Sequence, residues 1–315
     1  MASLRDIRSR IVSVKNTQQI TRAMKMVAAA KLRRAQERIF RTRPYAFKIR
    51  EMIEHLRERI DPTAHPLFAQ REEVGTVLVV VVTSDRGLAG AFNANILKRA
   101  AEELGGHLAP FRDRGALKIM ALGRKGHDYF KKRDYALVGD YRGLFNNLDF
   151  DAVNRITDRI VDGFMAGEWD EVVVVYNEFK NTISQNRIAE PFLPIPLEAF
   201  TTPVMEASEE YGLPTNGRAG TAAAPARDVD YIFEPSAEAI LEQLVPQYLS
   251  YQLWRVVLES NAAEQGARMV AMDNATSNAG ELLDDLRLTY NRARQAAITT
   301  EIIEISSGAE ALKQG

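Results

Sequence analysis

The chain has no cysteine, which excludes a disulfide framework, a thiolate nucleophile and any thiolate-bound zinc or iron–sulfur centre. Its four histidines, His55, His65, His107 and His127, are scattered without metal-ligand spacing, and no carboxylate pair accompanies them in a catalytic pattern. Neither a metal nor a cofactor is expected. Long apolar runs are missing too. The longest, VLVVVV at 77–82, falls far short of the roughly 20 residues that span a bilayer, and no apolar signal segment follows the start. Association with a membrane would have to pass through a partner or a surface. Glycine is absent from Ser3 to Arg59, and the one proline there, Pro44, does not interrupt the helical tendency around it.

What is present is unevenly distributed. The net charge is only −1, yet residues 1–60 carry 16 Lys/Arg against 5 Asp/Glu. This excess suits an acidic partner, protein or nucleic acid. Leu4, Ile7, Ile11 and Val14 step by three and four, the seam of an amphipathic helix. The seam then turns polar at Gln18 and Thr21, and apolar character is expected to resume at Ile20, Met24 and Val27, followed by Ala28, Ala29 and Leu32. Ile49, Met52, Ile53 and Leu56 carry the far end.

The middle of the chain changes style. TVLVVVVT (76–83), LKIMAL (117–122), YALVG (135–139) and EVVVVYNEF (171–179) read as strands, the first and last buried on both faces. Helical patterns at about 91–105, 124–133 and 149–166 separate them, so an open, mostly parallel α/β sheet of Rossmann-like type is predicted. Residues 201–228, rich in Ala, Gly, Thr and Pro and without apolar period, read as a flexible surface insertion. From Pro235 the helical pattern returns. Ala262, Gln265, Met269, Met272, Thr276, Ala279, Leu283, Leu286, Tyr290, Ala293 and Ala297 alternate by three and four, a coiled-coil seam, with Pro246 expected to kink the helix or mark its start.

Length then decides the arrangement. A helix over about 247–307 would be about 90 Å long and the N-terminal one up to about 85 Å, whereas a compact globule of this size is about 50 Å across. Two such helices at opposite ends of a chain are best satisfied by packing on each other as a long antiparallel coiled coil that projects from the central domain. The expected division is 1–60, N-terminal helix; 61–200, α/β domain; 201–228, insertion; and 229–315, C-terminal helix.

TSDRGLAGAFN (83–93) follows the first strand and opens a helix, where α/β folds bind phosphate. Its Gly87 and Gly90 give G-x-x-G, which fits neither dinucleotide nor P-loop spacing, so a tight turn with Asp85 or Ser84 capping a helix is the stronger reading. Three readings stay open on these residues alone: a protein whose stalk reaches and contacts an acidic protein partner, a basic coiled-coil nucleic-acid-binding protein, and a nucleotide-dependent α/β enzyme with helical extensions.

IRSRIVSVKNTQQITRAMKMVAAAKLRRAQ, TSDRGLAGAFN and ARMVAMDNATSNAGELLDDLRLTYNRARQAAITTEIIEISSGAEAL resemble the gamma subunit of bacterial F-type ATP synthases. The resemblance implies a non-catalytic rotor shaft that couples proton-driven rotation of the c-ring to ATP synthesis or hydrolysis on the alpha and beta subunits. It implies as partners three alpha and three beta subunits, the epsilon subunit and the c-ring. By position, Met24, Arg268, Arg294, Gln295 and Thr299 match the family's coupling contacts, with Arg294 and Gln295 against a catch loop of beta. Tyr231 and Glu234 match the foot near the c-ring, and Ile303 stands where some members carry threonine. No chloroplast-type cysteine pair is present, so thiol regulation is not expected. Because the matching motif begins at residue 4, no transit peptide is expected. A peripheral place on the cytoplasmic side of the cell inner membrane follows from the resemblance.

Overall fold

The computed structural model describes residues 3–57, 65–196, 202–204 and 236–313. The chain divides into two compact units, Met1–Ala28 with Arg268–Gly315, and Ala29–Ala267. Helix α1 runs Leu4–Arg57 and helix α6 runs Ala237–Lys313. Tyr231 and Glu234, and all of the 201–228 insertion except residues 202–204, lie outside the described residues.

Local chemistry sets both helix starts. Ser3 and Asp6 form a reciprocal capping box: Ser3 Oγ accepts from the Asp6 N–H at 3.2 Å, and the Ser3 N–H donates to Asp6 Oδ2 at 3.1 Å. At α6, Ser236 Oγ accepts from the Ala239 N–H at 3.2 Å. This start lies well before Pro246, which therefore sits inside the helix rather than at its beginning. The cost is one missing backbone hydrogen bond to the carbonyl four residues earlier.

Within the first unit the two helices form an antiparallel coiled coil. Gln18 and Thr21 of α1 meet Thr276 of α6, while Lys25 meets Asp273, so positions advance on one helix as they fall on the other. Ile7, Thr21 and Ala28 on α1, with Met272, Ala279 and Leu283 on α6, are the buried residues of the seam. Ile20 and Val27 are not on it. They are 60% and 56% exposed, because the seven-residue period continues through Gln18, Thr21 and Ala28 rather than shifting to the neighbouring apolar positions.

The second unit is built on a five-stranded sheet of order β3-β2-β1-β4-β5. Its strands are β1 Val77–Val82, β2 Leu117–Leu122, β3 Ala136–Leu137, β4 Glu171–Phe179 and β5 Gln185–Leu193. The first four are parallel and β5 runs antiparallel at the edge. β5 is absent from the sequence reading because Arg187, Glu190 and Pro191 break its apolar pattern. An edge strand tolerates proline, and the ladder accommodates Pro191 with a register shift between Val172 and Val173.

Helices α2 (Phe92–Gly105), α3 (Ala109–Asp113), α4 (Arg124–Lys131) and α5 (Phe150–Met165) complete the unit. Alternation along the strands splits the core in two. Val77, Val79, Val81, Ile119 and Val175 pack with Ile96, Ala100 and Leu104 of α2 and with Phe130 of α4. Leu78, Val80, Val82, Met120 and Val174 pack with Ile156 and Ile160 of α5 and with Leu249, Leu253 and Val257 of α6. Leu32, Ala35 and Ile39 of α1 join this second cluster. Continuous apolar strands are thus explained by helices on both faces. Trp169 is fully buried, donates from Nε1 to the Ile160 carbonyl at 3.0 Å, and lies so close to Gly163 that a side chain at that position would overlap its ring.

Candidate functional site

Two places are candidates: the glycine turn after β1, and the paired helices. At the turn, Leu88 and Gly90 both adopt positive φ, 62° and 56°. Asp85 reaches across this end of the sheet. Its Oδ1 accepts from the Arg124 N–H at 2.9 Å and the Gly143 N–H at 2.8 Å, and its Oδ2 from the Phe145 N–H at 3.0 Å. The expected helix cap is real, but it serves α4 and the loop after β3 instead of α2, whose start has no side-chain cap. The Ser84 N–H is taken by Asn93 Oδ1 at 3.0 Å. Of the turn's own backbone donors the Ser84 N–H is thus taken by the protein's own amide, and the Asp85 carboxylate adds negative charge at the place a phosphate would occupy in such a fold. Among the described residues, no group of three His, Asp or Glu side chains is placed to hold a metal ion.

The coiled coil explains its own polar residues. Thr276 Oγ1 lies 2.8 Å from Thr21 Oγ1, and each hydroxyl also reaches a carbonyl of its own helix, Thr276 that of Met272 at 2.7 Å and Thr21 that of Gln18 at 3.0 Å, so the two protons are shared among three contacts. Gln18 Nε2 reaches the Thr276 carbonyl at 3.4 Å, and an added side chain at Gly280 would meet the same amide. Lys25 Nζ pairs with Asp273 Oδ1 at 2.6 Å on a part-exposed face. Polar groups in a seam satisfy one another in only one register, so this cluster fixes the alignment of α1 against α6.

That alignment sorts the sequence-chosen residues. Met24 adjoins Lys25, and Arg268 lies five positions before Asp273, so both flank the Lys25–Asp273 pair; each is half-buried. Arg294, Gln295 and Thr299 form a second, exposed group about 39 Å further along α6 from Arg268. The Thr299 hydroxyl donates to the Gln295 carbonyl at 2.9 Å. The structure does not bring the two groups together. From Arg294 to Ala309 every residue is exposed, including Ile298, Ile302, Ile303 and Ile305, the last 68% exposed. The register accounts for this: α1 begins at Leu4, which lies level with about residue 294.

Sequence reasoning missed the Asp85 hub and the Thr21–Thr276 pair. Both threonines were visible as polar members of two apolar seams, a signal that they face each other; Asp85 was visible as a cap, but which helix and loop it serves was not, because its partners are backbone groups far along the chain.

Comparison with known proteins covers both units. The family model described as ATP synthase matches residues 3–312. The ATP synthase gamma chain of Salinibacter ruber is 58% identical over 315 residues, 100% of this chain and 99% of that one. The chain belongs to the ATP synthase gamma chain family. The family's member from Chloroherpeton thalassium is 52% identical over 314 residues, 100% of this chain and 99% of that one. Among solved structures, a chain of the Euglena gracilis mitochondrial ATP synthase (OSCP/F1/c-ring, rotational state 3) superposes with a TM-score of 0.58 at 18% identity, covering 98% of this chain and 94% of that chain. A chain from the central stalk and c-ring of the Tetrahymena thermophila mitochondrial ATP synthase gives 0.53 at 24% identity, covering 81% and 99%. These structures speak for the fold: a parallel-dominated sheet with long terminal helices. Nothing in these comparisons supports the nucleic-acid-binding reading. No helix among the described residues is long and apolar enough to cross a membrane.

Proposed function

We propose that this chain is the central rotor shaft of an F-type ATP synthase, a subunit with no catalytic site of its own. The observation that carries the reading is the free end of α6. Sixteen residues, 294–309, are all exposed, with four isoleucines among them, and such a surface is suited to a surrounding protein rather than to water. The partners are three alpha and three beta subunits around the helices, with the epsilon subunit and c-ring at the other end. Membrane attachment, peripheral and on the cytoplasmic side of the inner membrane, comes through the c-ring. Tyr231 and Glu234 serve the foot.

The mechanism is differential contact. A shaft without threefold symmetry presents different side chains to three chemically equivalent sites, and can hold them in different states only through differences in contact free energy. Arg294, Gln295 and Thr299 offer a guanidinium, an amide and a hydroxyl on one exposed turn. Met24 and Arg268 offer a second contact level beside the Lys25–Asp273 pair. Turning the shaft exchanges which site meets which face.

Co-expression with alpha and beta subunits tests the proposal. The expected product is a complex with a single copy of this chain per three alpha and three beta subunits, in which ATP hydrolysis drives proton uptake in membrane vesicles once the c-ring is present. A chain that purifies alone, or hydrolyses ATP by its own residues, contradicts it.

A further inference from the structure

Within the second unit a buried ionic joint ties α6 to the sheet, and none of the coupling contacts above uses it. Arg255 is a lone charge among Leu253, Trp254, Val256, Val257 and Leu258, all buried. Its Nη2 donates to Glu190 Oε1 and Oε2, each at 2.7 Å. Its Nη1 donates to Tyr176 Oη at 2.9 Å, and Tyr176 in turn donates its one proton to Glu190 Oε2 at 2.9 Å. Nε is held by Gln252 Oε1 at 3.0 Å on the same helix. Arg255 belongs to α6, Tyr176 to β4 and Glu190 to β5, so the cluster closes a ring of bonds between the helix and the antiparallel edge of the sheet.

Burial disfavours the guanidinium charge, but Glu190, Tyr176 and Glu259 more than offset it, and Arg255 is held well above the usual arginine value. Tyr176 is pushed up, chiefly by burial, so it stays a hydroxyl donor at neutral pH.

A buried ion pair of this kind is a poor source of stability, since apolar residues of equal volume often do as well or better. What it adds is direction. Packing by Leu249, Leu253 and Val257 is non-directional, and a helix held by apolar contact alone can creep along or about its axis with gradual loss. A guanidinium fork bonded to a carboxylate and a phenol loses its geometry at once when the helix turns. We propose that Arg255, Glu190 and Tyr176 form a positioning clasp that fixes the rotational setting of α6 on the sheet, so that a turning force on the α/β unit passes into the helix without slip. This rests on the rotor reading above.

The test uses the complete complex in membrane vesicles. Arg255→Met, Glu190→Leu and Tyr176→Phe together replace the three clasp side chains with apolar groups of similar volume while leaving Gln252 and Glu259 in place, and Arg255→Lys alone keeps the charge but loses the fork. The triple variant is expected to fold and to hydrolyse ATP, while acidification per ATP hydrolysed against an opposing proton gradient falls by roughly twofold or more, a ratio that separates coupling from turnover. Arg255→Lys is expected to lower the same ratio by a smaller factor. A wild-type ratio in the triple variant overturns the clasp. If that variant fails to fold, a wild-type ratio in Arg255→Lys overturns it instead. Absence of ATP-driven acidification in the wild-type complex would sink the rotor reading, a result distinct from either.

Discussion

The two units of this chain solve opposite problems. Residues 29–267 bury whole side chains on both faces of a sheet, down to a tryptophan with a glycine beneath it. Among the described residues of 1–28 and 268–315 only one thin seam is buried, and Val12, Ile20, Met26, Val27, Leu288 and four isoleucines stand exposed. The first arrangement is dictated by its own stability. The second leaves apolar surface in water that self-packing could have covered, which makes sense only if its stability was not the quantity being optimised. Function and stability are separable here, and substitutions can measure how far.

Trp169→Ala should give the largest effect. It removes a fully buried indole and its bond to the Ile160 carbonyl, and should cost about 3–5 kcal/mol in urea-induced unfolding. A change below half of that would mean the α/β core is looser than its burial suggests.

Next comes Asp170, whose carboxylate accepts from Thr76 N–H at 2.8 Å and Gly75 N–H at 2.7 Å and pairs with Arg71. Burial works against its charge, yet these partners hold it below the usual carboxylate range. A lowered carboxylate contributes stability that is present above its unfolded pKa and is lost as pH falls through the folded one. Asp170→Asn should therefore cost about 1.5–3 kcal/mol at pH 7, and the gap to wild type should close as pH falls below about 4. Thermal midpoints across pH decide it; a gap that stays constant would contradict the assignment.

In the coiled coil the numbers shrink. Thr21→Val and Thr276→Val should each cost about 1 kcal/mol, and the double substitution less than the sum, because the partners leave together. Additive losses would show that the pair is not coupled. Val12→Ala, 54% exposed, should stay within about 0.5 kcal/mol.

The same contrast governed what could be read from the sequence. Strands β1, β2 and β4 were legible because burial on both faces leaves unbroken apolar runs in them, VLVVVV, IMAL and VVVV. β5 was not, since an edge strand answers to one face only and admits Pro191 and Arg187. The α6 seam was legible to the residue: Met272, Ala279 and Leu283 are buried and Ala297 is exposed only because α1 has ended. The α1 seam misled at Ile20 and Val27, where hydrophobicity pointed outward while Gln18 and Thr21 pointed in. Candidate contacts at Met24, Arg268, Arg294, Gln295 and Thr299 came from family resemblance alone, for no isolated chain displays what its exposed face is shaped to meet. Arg255 was in plain view as a charge within an apolar run, but its partners on β4 and β5 required the fold.

The most direct test is Met24→Lys in the assembled complex. Met24 is half-buried beside Lys25 on a helix already rich in cations, and an added charge near the surface should change the fold by under about 1 kcal/mol. Inside a closed ring the same ammonium is poorly screened and weighs more on rotation. Membrane vesicles should show near-normal ATP hydrolysis with impaired acidification, at an unchanged thermal midpoint for the isolated chain. Hydrolysis and acidification falling in equal proportion would contradict the claim that the paired helices set coupling rather than stability.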